Sequence, residues 1–225
     1  MKKIFLIITL FLVSTVWGVA ISDAAILLTQ DFNSANSDLE PPPAGWDITL
    51  TWCGGGEPWR LNNNWRWNQA NQTGGDGTCA TIDGSYEGNF YGAGTDLVSP
   101  IFSLDGCYTS ADLSFATIFD HELARECAKV EISTNNGSTW IDLLDWREDH
   151  SATTVNLDLT SYIGNDLMRV KFAYLTEEWP GGLWQVDDVL VSAVECSGGD
   201  TTPVPEPVSI LLFGSGLAGL FLRRK

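Results

Sequence analysis

The sequence predicts an all-β sandwich over residues 25–195, set between two short ends of different character. Three observations point there. Short β-prone segments recur about every ten residues, several of them alternate strictly between apolar and polar positions, and no long helical stripe competes outside the two ends. Hydrophobic residues make up 44% of the 225-residue chain, which supplies a sizeable core and excludes wholesale disorder.

Taken in order, the expected strands are residues 26–32, 96–104, 111–119, 128–134, 140–144, 153–159, 168–174 and 183–194. The fourth puts Ala128, Val130 and Ile132 on one face and Lys129, Glu131 and Ser133 on the other. The seventh turns Met168, Val170, Phe172 and Tyr174 inward and Arg169 and Lys171 to water. Asn136-Gly137 lies between two such runs, and both residue types tolerate positive φ, so it reads as a hairpin turn. No internal repeat is evident.

The N-terminus reads as an export signal over residues 1–24. Lys2 and Lys3 precede an apolar run at 4–13, and Gly18 and Ala20 suit a cleavage site, with Ala24 or Ala25 as alternatives. Export places the cysteines in an oxidising compartment. At the other end, CSGGDTTP (196–203) is a turn-forming linker. Val204-Pro205-Glu206-Pro207 follows, then an uncharged run at 208–222, then Arg223, Arg224 and Lys225. As a helix that run spans roughly 22 Å against a hydrocarbon core of about 30 Å, which is short for a permanent anchor. The basic end holds the extreme C-terminus on the cytoplasmic side, with the domain outside.

This tail resembles the PEP-CTERM sorting signal. The resemblance implies a passenger recognised in the inner membrane of a Gram-negative bacterium by an exosortase, attached transiently through its C-terminal helix, then processed. Such a protein ends at the cell surface or in an exopolysaccharide matrix. The charge balance agrees with that address. Formal charge is -17, and once the five terminal cations are set aside seven cations face 29 acids. Such a surface repels nucleic acid and anionic lipid while tolerating divalent cations and neutral sugars.

The body carries a second resemblance. Asp31-Phe32-Asn33 closes the first strand and Pro43-Ala44-Gly45-Trp46 follows, then Leu97-Val98-Ser99-Pro100 and Leu113-Ser114-Phe115. Residues 133–140 (STNNGSTW) and Trp184-Gln185-Val186-Asp187-Asp188-Val189 complete the order. The set is similar to jelly-roll domains of the choice-of-anchor J, cleaved-adhesin and MAM type, and implies a non-catalytic surface or adhesive module, often with bound calcium. By that resemblance the metal site falls on Asp31 and on one of Asp187 and Asp188, with Asn33 as a further candidate. The residues themselves allow it. Asp187 and Asp188 interrupt an apolar strand, so at least one carboxylate is expected on the core side, where it costs energy unless a cation or donors satisfy it. In a jelly roll the first and last strands are neighbours, which brings Asp31 and Asn33 close. Hard oxygen ligands without His or Cys suit calcium. A hydrogen-bonded Asp pair at a β-bulge is the structural alternative.

The Trp- and Gly-rich insertion at 52–79 departs from that group. Trp59, Trp65 and Trp67 with Asn64 are what a neutral sugar needs, aromatic faces beside amide groups; the same tryptophans also suit a plug at one end of the sandwich. Of five cysteines, Cys53 and Cys79 are the preferred pair, since a bridge there staples the insertion. Cys107–Cys127 has poor geometry if 111–119 and 128–134 form a hairpin, which leaves Cys107 and Cys127 as alternative partners for Cys196. Asp120-His121-Glu122 lacks the second histidine of a zinc hydrolase, because Arg125 stands in that place. No GxSxG, P-loop or dinucleotide fingerprint occurs. The expected function is a calcium-stabilised module for adhesion or exopolysaccharide binding. The alternatives are a structural matrix protein without a glycan ligand and a polysaccharide-cleaving enzyme, which needs a groove with two carboxyl groups about 5–10 Å apart.

Overall fold

The computed structural model describes residues 24–33, 42–51, 58–62, 69–84, 93–177 and 180–196. The export signal, the sorting tail with Val204, Pro205, Glu206, Pro207, Arg223, Arg224 and Lys225, and Cys53, Asn64, Trp65 and Trp67 lie outside these residues. The described chain forms eleven strands: β1 (Ala24–Gln30), β2 (Asp47–Leu50), β3 (Arg60–Leu61), β4 (Ala80–Asp83), β5 (Ala93–Val98), β6 (Tyr108–Asp120), β7 (Glu126–Ser133), β8 (Ile141–Trp146), β9 (His150–Asp158), β10 (Arg169–Thr176) and β11 (Leu183–Glu195). They build two antiparallel sheets. One has the order β3-β4-β11-β6-β9 with β1 also on β11, the other β2-β5-β10-β7-β8. All eight expected strands are present, and β2, β3 and β4 are additions that alternation did not reveal.

The inward faces make one core. Ala128, Val130 and Ile132 of β7 and Met168, Val170, Phe172 and Tyr174 beside and along β10 are all buried, as their alternation requires. Phe115 of β6 meets Phe172 of β10 edge-on across the sandwich, with centroids 5.2 Å apart, and Trp184 of β11 packs against Phe172 and Phe119. Thr117 is buried among these rings without an unmet group. Its Oγ1 accepts from Trp184 Nε1 at 3.0 Å and donates to the Gln185 carbonyl at 2.7 Å. Asn136 and Gly137 both adopt positive φ, at 55° and 83°, and join β7 to β8 as the turn chemistry demands.

The cysteines correct the sequence reading. Cys79 carries a free, fully buried thiol beside Thr81 Oγ1, so the expected Cys53–Cys79 bridge is not formed. The side chain is buried beside Thr81 and near Asp187, and burial pushes its thiol up to about 12. Cys127 is likewise free and buried. The bridge is Cys107–Cys196, one of the alternatives, with Cα atoms 5.3 Å apart. Cys107 and Cys127 do not share a hairpin, because β6 and β7 belong to opposite sheets. The bridge ties Cys196, first residue of the expected linker, onto the strand pair β6–β11, reinforced by Cys196 N donating to the Cys107 carbonyl at 2.8 Å.

The bridge closes a loop of 89 residues, for which the chain-entropy model gives about 4–5 kcal/mol. Cys107→Ser is therefore expected to lower unfolding free energy by about 2–5 kcal/mol in denaturant titrations. Reductant should reduce the wild type to the same stability and leave the variant unchanged.

Candidate functional site

The first and last strands are neighbours, as expected. β1 and β4 lie end to end along the same edge of β11: β4 pairs with Leu183–Val186 and β1 with Val189–Val194. Asp187 and Asp188 fall in the gap between them. On the other edge the register with β6 shifts between Asp187 and Leu190, a bulge. Asp188 takes a left-handed φ of 48° and Phe32, just past β1, one of 54°. The chain leaving β1 and the chain entering β4 thus meet at the two aspartates, and Asp31, Asn33, Asp187 and Asp188 come together.

Asp187 is fully buried, but not towards the core. It lies on the outer side of β11 with Gln185, beneath the segment 69–79 of the insertion. Gln185 Oε1 accepts from Gln72 N at 2.8 Å and its Nε2 donates to the Ala70 carbonyl at 3.0 Å. Asp187 Oδ2 accepts from Asn71 Nδ2 at 2.7 Å and its Oδ1 from Asp188 N at 2.8 Å. Desolvation pushes the Asp187 carboxyl up to about 6; those two hydrogen bonds oppose the rise, and the nearby charges of Asp188 and Asp31 add to it. The Asn71 amide is fixed in turn, since its Oδ1 accepts from Thr73 N and Thr73 Oγ1. Asp31 Oδ1 accepts from Asn33 N at 3.1 Å, and Asn33 Oδ1 accepts from Thr78 N at 2.8 Å, which pins the end of β1 to the entry of β4.

Two glycines make this closeness possible. A Cβ at Gly75 would stand 2.6 Å from Asp187 Oδ2 and 2.9 Å from Asp188 Oδ2, so two carboxylate oxygens converge on the space beside its Cα. A Cβ at Gly77 would stand 1.9 Å from Asn33 Oδ1, and its φ of 79° disfavours any side chain. The donors are all hard oxygens, which fits a cation of the calcium kind. Among the described residues no three His, Cys, Asp or Glu side chains close round one point. The set is therefore a carboxylate pair supplemented by Asp31's charge and the Asn33 amide oxygen.

The insertion does not carry its sugar platform on Trp59. That ring is fully buried and packs edge-on against Trp184 at 5.1 Å, the plug alternative, because a ring of this size at the mouth of the sandwich gains more from the core than from water. Asn62 is a clamp that the sequence did not reveal. It donates through Nδ2 to the Gln69 carbonyl and accepts at Oδ1 from Cys79 N, holding together the points where residues 63–68 leave and return.

At the same end of this sheet lies a cleft of about 490 Å³ whose lining includes Asp83, Asp120, Glu122, Asp149, Gln69 and His150. Buried Glu126 stands outside that lining but holds two of its residues, Glu122 and Gly182, in place. Its Oε1 accepts from Tyr174 Oη at 2.5 Å and Gly182 N at 2.7 Å, and its Oε2 from Glu122 N at 2.8 Å and Leu123 N at 3.3 Å. Four donors meet the cost of burying that carboxylate. No sequence motif marks it, since its donors come from three separate segments.

Residues 203–225 match the PEP-CTERM protein-sorting motif. No curated protein matches the chain. Among solved structures, the K3 cleaved adhesin domain of Lys-gingipain from Porphyromonas gingivalis is similar at 18% identity with a TM-score of 0.53, covering 75% of this chain and 99% of that domain. The K1 domain of the same protein follows at 17% identity and 0.51, covering 73% and 96%. A family 11 carbohydrate-binding module from Clostridium thermocellum, solved with a mixed-linked tetrasaccharide, shows 14% identity and a TM-score of 0.42 over 79% and 98%.

Gly77→Ala is expected to lower the melting temperature, at a cost of about 1–3 kcal/mol for forcing a side chain into a left-handed position against Asn33. Gly74→Ala is the comparison, because it has a similar φ of 92° but open space, and should cost less. The chain is thus an exported protein that carries a PEP-CTERM sorting motif behind a jelly-roll domain of the cleaved-adhesin fold.

Proposed function

We propose that this protein is a non-catalytic surface or matrix module that binds exopolysaccharide, is processed by an exosortase, and is stiffened by one calcium ion. The observation that carries the reading is the sorting motif at 203–225, behind a domain closed by a disulfide that needs an oxidising compartment. Calcium would be held by Asp31 and one of Asp187 and Asp188, whose Oδ2 atoms converge beside Gly75, with Asn33 Oδ1 as a further oxygen. It would offset the burial of Asp187 and tie the ends of β1 and β4 to β11. Its role is structural.

Retention on the exopolysaccharide of the producing cells tests the binding reading. The mature protein recovered from those cells should be held by the polymer in calcium and released by a chelator; passage through the column in both conditions sinks it. Calcium at a hundred times its Kd should add about 2.7 kcal/mol, or roughly 5–10 °C in melting temperature for a domain of this size. Asp187→Ala should melt at one temperature with or without calcium. If the wild type also ignores calcium, the aspartate pair is only a hydrogen-bonded bulge.

The acidic cleft favours a second reading, polysaccharide cleavage. Asp83 and Asp120 lie on either side of Leu183 in neighbouring strands, about 10 Å apart along the sheet. Release of reducing ends from the polymer, abolished in Asp120→Asn, would replace binding by cleavage.

A further inference from the structure

The second sheet turns outward a face unlike the rest of this acidic molecule. Of the seven cations in the body of the chain, Lys129, Arg147, Arg169 and Lys171 gather here. Opposite charges pair from strand to strand across it. Lys171 of β10 reaches Glu131 of β7 at 2.7 Å and Asp96 of β5 at 3.8 Å. Lys129 of β7 reaches Asp142 and Asp145 of β8 at 2.8 and 3.5 Å, Arg147 joins Asp145, and Arg169 joins Asp47 of β2. Four cations against five carboxylates leave the face close to neutral, whereas the chain as a whole carries -17.

The centre of this network is too covered to be an ordinary solvated surface. The side chains of Lys171, Asp96 and Glu131 are only 12–15% exposed. Lys171 Nζ sits 4.5 Å from the centroid of the Trp140 ring, which the Asn136-Gly137 turn delivers over the sheet. Beside that ring runs a groove of about 670 Å³, with Asp47, Thr49, Asp96, Arg169 and Lys171 also in its walls. That volume falls among small-ligand sites, which run about 300–1,000 Å³.

We infer that this groove binds a segment of neutral polysaccharide, with Trp140 as its apolar wall and the ion-paired side chains as hydrogen-bond partners for hydroxyls. The inference rests on the glycan-binding reading above and gives it a place and a ligand class. Ion pairing holds the carboxylates and the guanidinium in fixed positions across five strands, so little side-chain freedom is left to lose when hydroxyls replace water. An anionic polymer finds no unpaired cation here and meets the acidic remainder of the surface, while a cationic one would have to compete with Lys171 and Arg169 for the same carboxylates. A neutral chain does neither.

Affinity electrophoresis of the mature protein through gels holding galactomannan, polygalacturonate or chitosan tests this. Galactomannan should retard it and polygalacturonate should not. Trp140→Ala should weaken galactomannan binding about tenfold or more, the loss of an aromatic contact worth about 1.4 kcal/mol, without a change in melting temperature. Trp140→Phe, which keeps a ring over Lys171, should fall between, and decides the matter if the alanine variant fails to fold. Asp149→Asn in the acidic cleft should bind as the wild type does. Binding that survives Trp140→Ala and is lost in Asp149→Asn moves the site to the cleft, overturning this inference but not glycan binding. Retardation by a charged polymer alone overturns the ligand class. Retardation by none of the three, from a protein that its own exopolysaccharide still retains, also overturns it and leaves the functional reading standing; failure on both removes the two together.

Discussion

The packing of this domain depends on one strand, β11, and on how it manages a buried carboxylate halfway along. Most strands of a sandwich bury one face and wet the other. β11 buries both over Leu183–Asp187, because Trp184 and Val186 enter the core while Gln185 and Asp187 are roofed by the insertion. Polar groups under a roof must be answered from it, and they are, by Ala70, Asn71 and Gln72. Residues 69–79 are thus part of the sheet's outer layer, pinned by the groups that Gln185 and Asp187 present.

The same strand explains why the aspartate pair sits where it does. Two strands sharing one edge of a third must leave a break, and backbone groups at the break have no ladder partner. Here the break falls at Asp187-Asp188, and the chain fills it with side-chain oxygens, left-handed residues and glycines that let loop and carboxylates approach. A bulge, a close glycine and a raised carboxyl group are one geometric event seen three ways. The Asp187 carboxyl stands at about 6 because desolvation outweighs two hydrogen bonds, so the ionised form carries a cost that a bound cation would remove. Burial of the pair and a use for a cation are therefore compatible. Hydrogen bonds from Asn71 and Asp188 hold the Asp187 carboxyl, and a cation would lower the cost of its ionised form.

Much of this fold was legible because its strands obey a two-residue period. β7 and β10 could be read position by position, and Asn136-Gly137 named its own turn. The proximity of Asp31 and Asn33 to the last strand followed from topology, since strand neighbours bring their ends together. What could not be read had no period to betray it. β3 is two residues long and β4 four residues buried on both sides, so neither alternates. The direction of Asp187 depended on a roof whose existence the strand itself does not encode. Trp59 and Cys79 illustrate the same blindness: composition gave their chemistry, but burial decided whether that chemistry faces water.

The two sheets differ in how they treat polar residues, and the difference bears on which one meets a partner. The β11 sheet has spent its outer face on packing, with the insertion covering its middle and the disulfide fastening one end of the β6–β11 pair. The β10 sheet has no such roof over Lys171 among the described residues, only the ring of Trp140. The exposed ion pairs at its margins contribute little to stability one by one, about 0–1 kcal/mol each. The covered Lys171 cluster carries a desolvation cost, so stability is a weak reason for concentrating most of the body's few cations there. Their stronger effect is on charge: they cancel the local field on an otherwise acidic domain and hold acceptors and donors at fixed spacings. A protein that must stay soluble through net charge, yet approach a polymer closely, gains from one neutral and preorganised face. On the proposed reading one sheet serves cohesion and the other contact, a division that follows from where residues 69–79 lie.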